Sequence, residues 1–198
     1  MVNLLELDEL VKEAGKWAVG LRQDFHRWPE LGNEEYRTAE RIQAELEKLG
    51  MEYERMLSTG IVGMLKKNQG KKTVALRADM DALPIQETAA LPFSSKKKGI
   101  MHACGHDVHM AVLLGTARVL SKIKNDINGN VKFIFQPAEE TTGGAKRMIK
   151  KGCLEPKTDF ILGLHVKPDL PAGTIGVKYG KVHASSDMFH ITVTGKNS

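Results

Sequence analysis

The feature that most limits the fold is a switch in hydrophobic period along the chain. Four short runs rich in β-branched and aromatic residues, at 61–65, 74–78, 131–135 and 160–164, are bounded by Gly, Pro or polar residues, which is the pattern of strands. Several are apolar almost throughout, as expected of strands covered on both faces. Helical stretches lie between them at 108–122 and 144–151. Strands alternating with helices predict an α/β fold, a sheet sandwiched by helices. No strand order follows from the pattern.

Two helices precede the strands. Leu10, Ala14, Trp17, Leu21 and Phe25 recur at spacings of three and four and share one helical face. Pro29 and Gly32 stop that helix. Asn33 is the expected N-cap of a second helix, with Glu34 and Glu35 at the positive end of its dipole. Ala39, Ile42, Leu46 and Leu49 form its buried stripe, and Gly50 suits the position just past its end. At 188–194 the pattern changes again: Phe189, Ile191 and Val193 alternate with His190, Thr192 and Thr194. This predicts a strand with one wet face. A strand does not stand alone in water, so it is expected to open a second domain that the chain leaves unfinished.

A length of 198 residues allows one domain, or one domain and a piece of another. With 41% hydrophobic and 27% charged residues the chain is expected to be ordered. Its apolar runs are short and its N-terminus mixes Leu with Glu and Asp, so neither a membrane span nor a signal peptide is expected. Two cysteines, Cys104 and Cys153, make no disulfide framework and predict a reducing, cytoplasmic setting. The net charge of +5 does not predict a nucleic-acid partner. The lysines fall in scattered pairs and one triplet at 96–98, acids are interleaved, and aromatic residues are only 6%.

Chemistry concentrates at three strand ends. Met101-His102-Ala103-Cys104-Gly105-His106-Asp107-Val108-His109 holds three His, one Cys and one Asp in nine residues. Phe135-Gln136-Pro137-Ala138-Glu139-Glu140 sets two adjacent carboxylates past an apolar strand, and Gly163-Leu164-His165 closes another. Ligands of α/β sheets sit outside the carboxyl ends of strands, so the three stretches can converge. Thiolate, neutral imidazole and carboxylate are the donors a divalent ion takes. Gly105 lets the chain bend between Cys104 and His106. Of Glu139 and Glu140, one can bind an ion while the other takes a proton from the attacking water. Each cluster alone has a plainer reading. Cys104 would be a small buried hydrophobe, His165 a core histidine, and the glutamates helix-dipole partners. His102 and His109 read better as structural or ligand-supporting residues than as ligands. Taken together, the clusters point to a metal site. Asp79 and Asp81, in Arg77-Ala78-Asp79-Met80-Asp81, can orient a ligand or simply shape the turn before Pro84. Thr142-Gly143-Gly144-Ala145 lacks a phosphate-loop ending and reads as a tight helix entry. Cys153 reads as buried structure.

On these stretches the chain resembles the M20 metallopeptidases, in particular the N-acyl amino acid amidohydrolases: aminoacylases, hippurate hydrolases and auxin-conjugate hydrolases. Asp24-Phe25-His26-Arg27-Trp28-Pro29-Glu30-Leu31-Gly32 and Arg77 to Ile85 belong to the same resemblance, and all five stretches follow the family's order. The resemblance implies an α/β/α sandwich of the zinc-dependent exopeptidase type. It implies two divalent ions, Zn²⁺ or Mn²⁺, held by Cys104, His106, Glu140 and His165, with Glu139 as general base and Asp81 in support. The implied substrate is a small N-acyl amino acid, with dipeptidase or carboxypeptidase chemistry and a non-catalytic metal-binding module as alternatives. The resemblance also implies a catalytic domain over 1–184 and the start of a lid and dimerisation domain over 185–198, with a homodimer or higher oligomer at full length. The family carries a further metal-binding histidine near its C-terminus and an oxyanion histidine in the lid, neither of which this sequence reaches. The chain alone is therefore expected to bind metal weakly and to hydrolyse little or nothing.

Overall fold

The computed structural model describes residues 2–67, 72–182 and 189–195. Two helices open the chain, α1 (Leu4–Arg27) and α2 (Tyr36–Lys48). A hairpin of β1 (Glu52–Met56) and β2 (Gly60–Leu65) follows, then β3 (Thr73–Asp79), α3 (His106–Lys122), β4 (Asn130–Gln136), α4 (Gly144–Lys150) and β5 (Phe160–Gly163). The strands form one sheet in the order β1-β2-β4-β3-β5. β3 runs parallel to both β4 and β5, while β2 is antiparallel to β1 and β4.

Alternation along the central strands places apolar side chains on both faces. Val131, Phe133 and Phe135 of β4 join Leu21, Phe25, Ile42, Leu46, Met110 and Leu114 from α1, α2 and α3. From the other face, Ile134 and Ala75 meet Met148 of α4 and Cys153. The sheet is thus sandwiched, as the alternating pattern predicts. Cys153 is buried, and residues 96–98 are exposed.

Three expectations change, and one strand, β1, lies outside the predicted ones. Asn33 is not the N-cap of α2; Glu35 holds that place. Asn33 turns left-handed at φ 72 and engages Thr142 and Arg147 instead. β1, Glu-Tyr-Glu-Arg-Met, lacks the apolar run of the other strands because it is an edge strand paired on one side only. β5 is exposed along its whole length, at the opposite edge, rather than covered on both faces. Residues 189–195 form no strand, and Phe189, Ile191 and Val193 are exposed. Period-2 alternation needs a neighbouring ladder before it becomes a strand.

By compactness the chain divides into Met1–Val166 and Lys167–Ser198. The second unit consists of turns and irregular chain over its described residues, with Lys167 paired to Asp169. The expected boundary between 184 and 185 falls within 183–188, outside the described residues. Among the described residues, no helix is long and apolar enough to cross a membrane.

Phe133, fully buried at the centre of β4, should be the most costly apolar truncation in the core. Phe133→Ala is expected to lower unfolding free energy by about 3–5 kcal/mol, measured from urea midpoints at unchanged slope.

Candidate metal centre

Register brings the three strand ends to one edge. Asp79 pairs with Gln136, and Arg77 with Gly163. The next residues of each strand therefore leave the sheet side by side: Met80-Asp81, Pro137 to Glu140, and Leu164-His165. Gly105 has φ 88 and opens α3 from the same direction, with its carbonyl accepting from the Val108 and His109 amides. The helix starts two residues earlier than its hydrophobic pattern suggests, which puts His106 on its first turn and Cys104 just before it. A side chain at Gly105 would overlap the Val166 side chain, so only glycine suits both the backbone and the space.

The side chains converge. Cys104 Sγ lies 3.4 Å from His165 Nε2, and His106 Nε2 lies 3.7 Å from Glu140 Oε1. Ligand atoms of Cys104, His106 and His165 fall within 4.8 Å of one another, as do those of His106, Glu139 and Glu140 and those of Asp79, His106 and His109. His106 belongs to all three groups. Both site-facing histidines use Nδ1 elsewhere: His106 donates to the Asp81 carbonyl at 2.8 Å and His165 to the Val166 carbonyl at 2.7 Å. A carbonyl only accepts, so each Nδ1 carries a proton, and in the neutral ring each Nε2 offers a lone pair to the site. His106 Nε2 and Glu140 Oε1 are buried without a hydrogen-bond partner. Two orphaned lone-pair donors beside a thiol and a further carboxylate are what a divalent cation satisfies. Burial, and then the neighbouring Glu140, push the Cys104 thiol up to about 12, so thiolate at neutral pH requires such a cation.

The loop carrying Glu139 and Glu140 is held by buried carboxylates. Asp81 accepts from the Glu139 amide at 2.9 Å and the Glu140 amide at 3.0 Å. Glu35, fully buried, accepts from the Ala138 amide at 2.8 Å and from the Thr59 hydroxyl at 2.7 Å. Burial raises the Glu35 carboxyl above its ordinary range, against the pull of the Thr59 hydrogen bond. Three consecutive amides thus end on two acids, and Ala138 adopts φ 51 to present them. The following Gly143-Gly144 makes the tight helix entry expected of it: Gly143 is left-handed, and a Cβ on Gly144 would overlap the Pro137 carbonyl.

Of the expected site residues, Cys104, His106, Glu139, Glu140 and His165 come together, with Asp81 beneath the loop. His102 joins none of the three groups. It is buried with both ring nitrogens unpartnered, and burial depresses it to about 4. Sequence reading missed Glu35, which looks like a helix-start acid; its partner Ala138 lies 103 positions away. His26, in the early resemblance stretch, bonds to Asp107 Oδ2 at 2.8 Å and Glu87 Oε1 at 3.0 Å, tying α1 to the first turn of α3.

A mixed sheet with thiol, imidazole and carboxylate donors gathered beyond its parallel strand ends defines an α/β protein with a candidate metal centre. The chain belongs to the peptidase family M20/M25/M40, whose pattern matches residues 75–196. It is 46% identical over 94% of its length to thermostable carboxypeptidase 2 of Saccharolobus solfataricus, covering 48% of that protein. It is 46% identical over 90% of its length to N-acetylcysteine deacetylase of Bacillus subtilis, covering 47% of it. The Bacillus subtilis YXEP protein, described as a dinuclear metal binding peptidase of the M20 family, superposes with a TM-score of 0.80 at 44% identity. That match covers 84% of this chain and 47% of the other. The chain spans about half the length of the curated relatives it matches.

Replacing Glu35 tests the grip on the loop. Glu35→Leu leaves the buried Ala138 amide without an acceptor and is expected to cost about 1–3 kcal/mol. Glu35→Gln keeps an acceptor and should cost less in the same urea titration. Equal losses would mean that the side-chain oxygen does not hold the loop.

Proposed function

We propose that this chain supplies the metal-binding part of an amidohydrolase that cleaves N-acyl amino acids of the N-acetyl or N-benzoyl type. The observation that carries the reading is the approach of Cys104 to His165 and of His106 to Glu140, with Glu139 alongside. The ligands are Cys104, His106, Glu140 and His165, and they hold two divalent ions, Zn²⁺ or Mn²⁺. When bound, such ions acidify water and polarise the amide carbonyl.

The chain's own residues do the rest. Glu139 is exposed, where substrate and water reach it, while its amide is fixed by Asp81. Its carboxylate takes a proton from the attacking water and returns it to the departing amine nitrogen. The new C–O bond forms first, making the carbonyl carbon tetrahedral; the C–N bond then breaks as the protonated amine leaves, giving a carboxylic acid and a free amino acid. Asp81 holds both glutamate amides, so base and ligand keep a constant relation to each other.

Residues 1–184 form part of the catalytic domain and 185–198 open the lid and dimerisation domain of a cytoplasmic, oligomeric enzyme. The 198-residue chain, about half as long as its relatives, hydrolyses little by itself. A second reading, carboxypeptidase chemistry at the same centre, is favoured by the relative of that name. A panel of N-acetyl and N-benzoyl amino acids against dipeptides, run on a chain of the relatives' full length, separates the two.

In that longer chain, Glu139→Gln should lower kcat by about 10²–10⁴ with metal content unchanged by elemental analysis. Retained turnover would remove Glu139 as the base. In the 198-residue chain, Cys104→Ala and His165→Ala should each weaken Cd²⁺ binding in calorimetry, whereas Glu139→Gln should not.

A further inference from the structure

One buried histidine borders the centre without opening onto it. His109 lies on α3, one turn past His106. Its Nδ1 bonds to Asp79 Oδ1 at 2.6 Å, and its Nε2 accepts from the Val166 backbone N–H at 2.9 Å. An amide N–H only donates, so Nε2 is bare and the ring proton sits on Nδ1, donated to Asp79. The other oxygen of Asp79 takes Arg77 Nη1 at 2.7 Å, and Arg77 Nε bonds to Gln136 Oε1 at 2.8 Å. Hydrogen bonds therefore run from the end of β4, through β3 and α3, to the chain leaving β5.

That last segment needs an anchor. β5 pairs with β3 only as far as Gly163. His165 follows two residues later, exposed, with its Nε2 beside Cys104. Val166 bears on it twice: its carbonyl accepts from His165 Nδ1, and its amide is the group His109 holds. With both ring nitrogens engaged, His109 has no lone pair left for an ion, although its group with Asp79 and His106 has ligand spacing.

We propose that His109 is a positioning residue: oriented by Asp79, it grips the Val166 amide and so delivers His165 Nε2 to Cys104. The metal-related part of this inference rests on the reading of Cys104 and His165 as ligands; the strut itself does not.

The experiment uses the 198-residue chain labelled with ¹⁵N-histidine, free of metal and then with Cd²⁺. Long-range ¹H–¹⁵N spectra should show His109 protonated on Nδ1 and bare on Nε2, in both conditions. A proton on Nε2, or ¹¹³Cd coupling to His109, would overturn the strut. The Val166 amide should exchange slowly in the unaltered protein. It should stay slow in His109→Gln, whose oxygen can replace Nε2. In His109→Asn, which keeps a donor toward Asp79 but lacks that acceptor, it should speed up. Cd²⁺ affinity should fall about 10–100-fold in His109→Asn and recover in His109→Gln. Equal behaviour of the two variants would also overturn it. Absence of Cd²⁺ binding in the unaltered protein would instead defeat the ligand reading, with the tautomer and exchange results still deciding the strut.

Discussion

Parallel pairing of β3 with β4 and β5 is the constraint on which the rest of the structure depends. Parallel strands discharge their carboxyl ends at one edge, so the residues after Asp79, Gln136 and Gly163 emerge as neighbours. The sheet can carry this arrangement because β4 sets Val131, Phe133 and Phe135 into the core on one face and Ile134 on the other, and is covered by helices on both. Antiparallel β2 meets β4 on its other side and brings its amino end, not its carboxyl end, to the site edge.

Around that edge, buried carboxylates organise backbone rather than neutralise surface charge. A buried acid is costly unless it is paired or hydrogen-bonded, and each one here has definite partners. Asp81 collects the Glu139 and Glu140 amides, Glu35 the Ala138 amide, and Asp79 the His109 ring and Arg77. Burial alone would raise Asp79; the His109 hydrogen bond and the Arg77 cation prevail and hold it at about 2. The same interactions choose histidine tautomers. The Asp81 carbonyl takes the His106 proton on Nδ1 and leaves Nε2 facing the ligand cluster. The ring atoms that face the ligand cluster are thus set by groups on the far side of each ring.

Much of this was legible in the chain itself. The apolar runs of β2, β3 and β4 and the stripes of α1 and α2 carry their periods openly, because burial on one or two faces dictates residue type at each position. Cys104, His106, Glu139, Glu140 and His165 stood out because such donors are rare at the ends of apolar runs. What escaped was set by distant partners. Asn33 has the chemistry of an N-cap, yet Thr142 and Arg147 recruit it into a left-handed turn. Alternation at 189–193 is genuine in the sequence, but those residues form no strand.

By itself, then, the sequence determined the α/β class, the positions of the central strands and main helices, and the stretches that bear the chemistry, since these follow from local period and residue type. Only tertiary structure decided the strand order, the pairing of Glu35 with Ala138, and the choice of His106 and His165 over His102 and His109 to face the cluster. Histidines within a few residues of one another are chemically alike. What separates them is whether a ring nitrogen is already engaged or stands where the other donors gather, a condition set by groups tens of positions away.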